Sequence, residues 1–420
     1  MPEDLTGTGL AVPEILLPAE GVDLSRWSVI ACDQFTSDRS YWEEVDRFVG
    51  DAPSTLRITL PEVYLEEARL ADRVKAINRT MDQYLDSGVL VAAGYGWVLV
   101  DRSTRFVESR KGLVVALDLE AYSFRDAGAL VRPTEGTVLD RLPPRMDIRR
   151  GAKLDLPHIL LLMDDPGRTV IEPLFGKRGG MKQLYDFELN QGGGHLAGWL
   201  VDVRAARSTA EKFKELANEG LLFVVGDGNH SLAAARQLWE EKKQQGAPGD
   251  DPARYILLEV ENIHDPGLEF HPINRVLFGV KSDDFLREME SRFGGRFAEG
   301  PVEPRNPAGD EHFVGVAFPG REGMFTFNSK DDRMTVEHVQ DFLDDYLSGN
   351  PSVSVDYIHD RQPARQLASE DGNMGIFLPP IDKSALFEHI SRKGTYPRKT
   401  FSIGEAPEKR YYLEARKLKN

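Results

Sequence analysis

Apolar residues recur every three to five positions through 61–87 (Leu65, Leu70, Val74, Ile77, Met81 and Leu85), which predicts a long helix stopped by Gly88. A shorter helical pattern starts at Ser40 and runs through Tyr41, Trp42, Val45, Phe48 and Val49 to Gly50. Mostly apolar segments predict strands at 27–31, 89–100, 113–119, 158–163, 169–174, 221–225 and 255–260. Further helices are expected at 209–219, 232–245, 284–293 and 336–347. Segment 176–198 is too rich in glycine to be regular, so it reads as a loop whose run Gly192-Gly193-Gly194 is a mobile lid or disordered. The Pro/Arg-rich stretch 141–153 reads either as a cover over an anionic pocket or as a proline-stiffened surface loop. Helices and strands alternate without a strict βαβ rhythm, which predicts an α+β (mixed α/β) fold with mixed sheets. No period of 20–50 residues recurs, so a solenoid or propeller is not expected. Three regions are expected: an N-terminal α/β region, 1–130; a core region, 131–280; and a C-terminal α+β region, 281–420, with a basic end.

Composition narrows the class. The chain has 420 residues, 41% of them hydrophobic and 29% charged, as in an ordinary globular protein. Its net charge of −16 repels phosphate backbones and argues against nucleic acid as a partner. The acidic start and the shortness of the longest apolar stretch, 88–100, predict no secretory signal, no membrane span and a cytoplasmic protein. One cysteine, Cys32, rules out an intrachain disulfide and a cysteine-built zinc or iron–sulfur site. No His-Glu-x-x-His pattern is present either, so an intrinsic zinc site is not expected. Cys32 itself reads as a small core hydrophobe. The end, 392–420, carries nine Lys and Arg against three acids. It reads either as a solvated terminal strand paired with acidic neighbours or as a face in which Arg398 and Lys399 meet an anionic ligand.

The candidate chemistry lies in one stretch. Leu221-Leu222-Phe223-Val224-Val225 is an apolar strand, Gly226-Asp227-Gly228-Asn229-His230-Ser231 a polar turn, and Leu232-Ala233-Ala234-Ala235 opens a helix. The unpaired N–H groups and positive dipole at a helix start make an anion site. Gly226 and Gly228 let the backbone approach a ligand, Asp227 could hold Mg²⁺ or orient a donor, and His230 could contact phosphate or carry a proton. The same residues also fit an ordinary Gly-Asp-Gly turn with Asn229 or Ser231 capping the helix. The stretch is neither a Walker loop nor a dinucleotide fingerprint.

The turn is similar to the Asp-Gly-His-His-Arg hallmark of a bacterial family known as a domain of unknown function, DUF ten-fifteen, in its Gly-Asp-Gly-Asn-His-Ser branch. The likeness runs along nearly the whole chain. It includes Ala31-Cys32-Asp33-Gln34-Phe35-Thr36, Arg132-Pro133-Thr134-Glu135-Gly136-Thr137, His271-Pro272-Ile273-Asn274-Arg275, Tyr357-Ile358-His359-Asp360 and Pro397-Arg398-Lys399-Thr400-Phe401. More distantly the turn resembles that of free serine kinases of the ParB/sulfiredoxin-like superfamily. There a strand–turn–helix unit grips a nucleotide or other phosphate and an upstream glutamate is the base. Asp227, Gly228 and His230 match the hallmark; Asn229 replaces its first His and Ser231 its Arg. A hydroxyl does not replace a bidentate cation, so Arg275, Arg236 or the basic end would have to supply one. Glu135 is the match for the upstream glutamate.

The resulting expectation is a phosphotransferase, dependent on Mg²⁺ with ATP or ADP, acting on a small hydroxyl-bearing metabolite such as an amino acid. Glu135, Asp227 and His230 would be catalytic, with Asp227 reaching the metal through the Mg-nucleotide. Gly226, Gly228, Asn229, Ser231, Arg141 and Arg275 would bind phosphate or nucleotide. Phosphoryl transfer is mostly positioning and electrostatics, which suits such a constellation. Two alternatives stay open: a non-catalytic nucleotide- or anion-binding regulatory protein, and a nucleotide hydrolase.

Overall fold

The computed structural model describes residues 3–5, 7–36, 38–65, 69–217 and 220–418. The fold is mixed α/β, divided into two compact units: Met1–Leu268 with Phe387–Gly394 and Ala406–Asn420, and Glu269–Leu386 with Thr395–Glu405. Among the described residues no helix is long and apolar enough to cross a membrane.

The first unit is built on a mixed sheet. Its main path runs Val131–Pro133, Phe223–Asp227, Leu160–Met163, Tyr255–Asn262, Arg110–Asp118, Leu90–Ser103, Gly194–Asp202 and Lys182–Leu189. Strand Phe223–Asp227 lies parallel to Val131–Pro133 and antiparallel to Leu160–Met163. Side chains alternate across the sheet: Leu99, Leu113 and Val115 enter one core, while Val98, Val100 and Val114 enter the other. Helices Val203–Leu216 and Asn229–Gln244 put Ala206, Ala210, Phe213, Leu232–Ala235 and Leu238 into the first core. Trp42, Val45 and Val49 of helix Arg39–Val49, with Ile77 and Met81 of helix Leu70–Asp86, fill the second. Tyr411, Tyr412, Leu413 and Ala415 of the basic end join that core too.

The second unit is an antiparallel sheet in the order Arg296–Glu299, Arg321–Asn328, Glu311–Phe318, Asn373–Phe377, Asn274–Phe278 and Ser354–Ile358. Helices Ser282–Phe293 and Thr335–Gly349 cover one face through Phe285, Met289, Val339 and Leu343.

Several local expectations give way to the structure. Segment 169–174 forms a helix, Ile171–Gly176, because the Asp165 carboxylate accepts from the N–H groups of Thr169 and Val170 and starts a turn. Segment 176–198 is largely a hairpin, and its glycine run makes the tight turn, with Gln191, Gly192 and Gly194 at φ of 50°, 73° and 84°. Segment 141–153 contains helix Leu142–Arg150, whose two prolines stand at its first positions, where no N–H is needed. Segment 27–31 is no strand: Trp27 ends a short helix, and Ile30 makes a lone bridge to Tyr411. The expected helix end at 218–219, and Lys419 of the basic end, lie outside the described residues.

Candidate functional site

The turn sits where sequence pattern and geometry meet. Phe223–Asp227 is a buried strand, and helix Asn229–Gln244 follows after one residue. Gly228 makes that reversal at φ 77°, and a Cβ there would stand 2.9 Å from Ile159 Cγ1, so glycine is required. No side chain caps the helix start. A helix start presents N–H groups and a positive dipole end, which suit an anion.

Parallel pairing brings the Glu135 segment to this turn. Pro133 is in register with Val225, and Thr134 Oγ1 donates to the Val225 carbonyl at 2.7 Å. Asn229 Nδ2 donates to the Glu135 carbonyl (3.1 Å) and to Thr137 Oγ1 (3.4 Å), while its Oδ1 accepts from Tyr122 OH (3.3 Å). The Val138 N–H donates to His230 Nε2 at 3.2 Å. Asn229 and His230 thus fasten the 134–138 loop to the helix start. Thr134 to Thr137 and Asn229 to Ser231 were two separate sequence features; the fold makes them one.

Four charged or titratable groups crowd the other side. Lys409 Nζ stands 3.2 Å from Asp227 Oδ2, and the Gly228 N–H donates to Asp227 Oδ1 at 2.9 Å. Burial pushes the Asp227 carboxyl up, but the Lys409 ammonium and the Gly228 N–H more than reverse this and hold it below the usual carboxylate range. His158 Nε2 is 2.9 Å from Ser231 Oγ. Burial lowers the His158 pKa despite the nearby charges of Asp33, Asp227 and Asp155, so the ring stays neutral at neutral pH. Asp33 is shifted the other way, first by burial and then by Asp227, with His158 and Lys409 pulling against both. Its loop is strained, since Phe35 holds φ 52°. Cys32 accepts from Tyr412 OH at Sγ (2.9 Å), and burial pushes its thiol up, which leaves it unreactive.

Cations divide by position. Arg141 is exposed and follows the 134–138 loop; its neighbour Arg145 donates to the Arg141 carbonyl (2.8 Å) and pairs with Glu62. Arg236 is engaged by Glu120 and Glu240. Arg275 lies in the second unit and is wholly buried there; its guanidinium donates to the Ile273 carbonyl and to Gln340 Oε1 (3.1 Å) and lies over the Tyr357 ring. The basic end does pair with acidic neighbours, but not all of it is solvated: Arg410 pairs with Glu259 and Glu414, and Arg416 with Asp155, all buried, while Arg392, Lys393, Arg398, Lys399 and Lys417 are exposed. Arg398 pairs instead with Asp344 in the second unit.

Sequence reasoning left Asp33, His158 and Lys409 out of the site. Asp33 had a signal, a polar loop directly after an apolar stretch. His158, at the mouth of an apolar run, had none, and Lys409 was covered only by the expectation that Arg275, Arg236 or the basic end supplies a cation.

Among the described residues no group of three or more His, Cys, Asp or Glu side chains is placed to hold a metal ion. With Asp227 already neutralised by an ammonium, the donor set does not fit a Mg²⁺ held by the protein alone.

No protein of curated function matches the chain. Among solved structures, the chain is similar to a free serine kinase in complex with AMP (12% identity, TM-score 0.41, covering 72% of this chain and 91% of that one). A mutant free serine kinase in complex with ADP is 13% identical, with TM-score 0.43 over 75% and 95% of the two chains. A conserved hypothetical protein from Pyrococcus furiosus is 13% identical, with TM-score 0.39 over 69% and 90%. The family model described as protein of unknown function, DUF1015, matches residues 16–346, and the chain belongs to that family.

Proposed function

We propose that this protein binds a nucleotide at the start of helix Asn229–Gln244 and transfers a phosphoryl group to the hydroxyl of a small metabolite such as an amino acid. The observation that carries the reading is the uncapped helix start, reached through a left-handed glycine and fastened to the Glu135 loop. Gly226 and Gly228 allow close approach of phosphate, and the N–H groups of Asn229, His230 and Ser231 receive it. Glu135, at the edge of the same turn, takes the proton of the acceptor hydroxyl. The hydroxyl oxygen bonds to the terminal phosphorus as the bond to the bridging oxygen breaks, and the shortened nucleotide leaves. Arg141 offsets charge at the outer edge. Mg²⁺ would enter chelated by the nucleotide and lower the charge of its phosphates.

One observation favours a second reading, a binding protein without turnover. The side chains of Asn229, His230 and Ser231 are all engaged inside the fold, by Thr137 and Tyr122, by the Val138 N–H and by His158.

Calorimetry with AMP, ADP and ATP, with and without Mg²⁺, tests the shared part. Product analysis with L-serine, L-threonine and homoserine separates the two. Binding with a phosphorylated hydroxyl product supports the transferase; binding with none of these products supports the binding protein; absence of binding overturns both.

A further inference from the structure

We propose that Lys409 is the cation that grips the anionic ligand, and that Asp227 holds it in the ligand-free protein as an internal counter-ion which the ligand displaces. The inference rests on the phosphate-site reading above and assigns the charge that the turn itself lacks.

Position is the first argument. Asp227 immediately precedes Gly228, so Lys409, 3.2 Å from its carboxylate, stands beside the positive end of a 16-residue helix. An ammonium gains nothing from a helix N-terminus; it belongs electrostatically at the other end. Two positive features facing one another are stable only with an anion between them. In the ligand-free protein Asp227 supplies such an anion, in contact with Lys409. Phosphate, carrying more charge and more acceptor oxygens, is a better partner for both.

The way Lys409 is held is the second argument. Arg102 is almost fully buried, and its guanidinium donates to the carbonyls of Pro407 (2.6 Å), Glu408 (2.9 Å) and Lys409 (2.6 Å) as well as Gly193. Arg110 donates to the Glu408 carbonyl too, at 2.9 Å. On the other side the Ala31 N–H donates to the Arg410 carbonyl at 2.7 Å, and Arg410 is locked onto Glu259 at 2.8 Å. Buried guanidinium groups are costly to desolvate. Here several of them fix the backbone on both sides of one lysine, whose own side chain is only 11% exposed. Mere attachment of a chain end needs no buried charge, since Tyr411, Leu413 and Ala415 already provide an apolar anchor.

The alternatives are the third argument. Arg236 is turned to Glu120 and Glu240, and Arg145 to Glu62. Ser231, where the hallmark has its Arg, carries only a hydroxyl.

The test uses the full chain, EDTA and two metal-free probes, pyrophosphate and ADP, followed by calorimetry. Lys409→Met, which keeps the stem, should weaken both probes about tenfold or more, as loss of a charge-assisted contact does. Lys409→Arg should stay within a few-fold of wild type. Asp227→Asn should tighten metal-free binding about three- to tenfold, because the competitor is gone. Circular dichroism and melting confirm that each variant is folded; should Lys409→Met not fold, Lys409→Arg and Asp227→Asn still decide. Wild type that binds neither probe overturns the phosphate-site reading itself. Wild type that binds while Lys409→Met binds equally well overturns only the role of Lys409, leaving a structural ion pair. Weaker metal-free binding by Asp227→Asn overturns the displacement, because Asp227 would then help hold the ligand.

Discussion

At Asp227 and Asp33 the same physics gives opposite outcomes. Both carboxyls are pushed up by burial, but only Asp227 has an ammonium in contact, and only Asp227 ends below the usual range. The neutral His158 beside them can accept from or donate to Ser231, which fixes the side chain at the third residue of the helix. Glu135 belongs at this scale as well. Glu135→Gln keeps the shape and removes the base, so ADP or ATP should bind within a few-fold of wild type while turnover falls ~10²–10⁴-fold. Parallel calorimetry and product assays check this. A lowered melting temperature with an unchanged rate per folded molecule would make Glu135 a structural residue.

Between strand Phe223–Asp227 and helix Asn229–Gln244, everything depends on one residue in a left-handed conformation. Gly228→Ala should cost about 1–3 kcal/mol, from backbone strain together with the contact to Ile159. It should also weaken any anion bound at the helix start. Gly136→Ala, in the facing loop, meets nothing within 4 Å and should be close to neutral. Denaturant unfolding of the two variants makes the comparison; equal losses would mean that the turn tolerates rearrangement. The loop owes its place to Asn229, one of the two residues that depart from the hallmark, whose amide joins Glu135, Thr137 and Tyr122.

Across the first unit, buried charge ties the chain end to the middle of the sheet. Glu261, fully buried, is the residue of this arrangement whose titration should show in stability. Burial, then Glu259 and Asp265, push its carboxyl up to about 8, while Arg110 at 3.0 Å pulls it back. A raised pKa means that the folded protein keeps a proton the unfolded chain gives up. That contribution is complete below about pH 4.5 and is lost as pH rises through about 8. Glu261→Gln does not titrate. Its melting temperature should therefore gain on wild type between pH 5 and 8, and the difference should level off above that. A difference independent of pH would mean that Glu261 is ionised throughout.

The sequence by itself determined what is local. An apolar run, two glycines and an alanine-rich stretch specify strand, turn and helix at 221–244, because hydrophobic periodicity and left-handed backbone are properties of neighbouring residues. It also yielded the mixed α/β class and the family likeness. Only the tertiary structure decided what stands beside that turn. Strand order sets the partner of Phe223–Asp227, and no local pattern encodes that Val131–Pro133 pairs with it in parallel. Glycines 192–194 and the prolines of 141–153 misled for a related reason: the same residues serve a loose loop, a hairpin turn or a helix start, and the flanking strand or helix chooses. Lys409 was one cation among nine at the basic end until Arg102, Arg110 and Arg410 placed it on Asp227. Long-range electrostatics of this kind depend on distances through space, which a linear sequence does not contain.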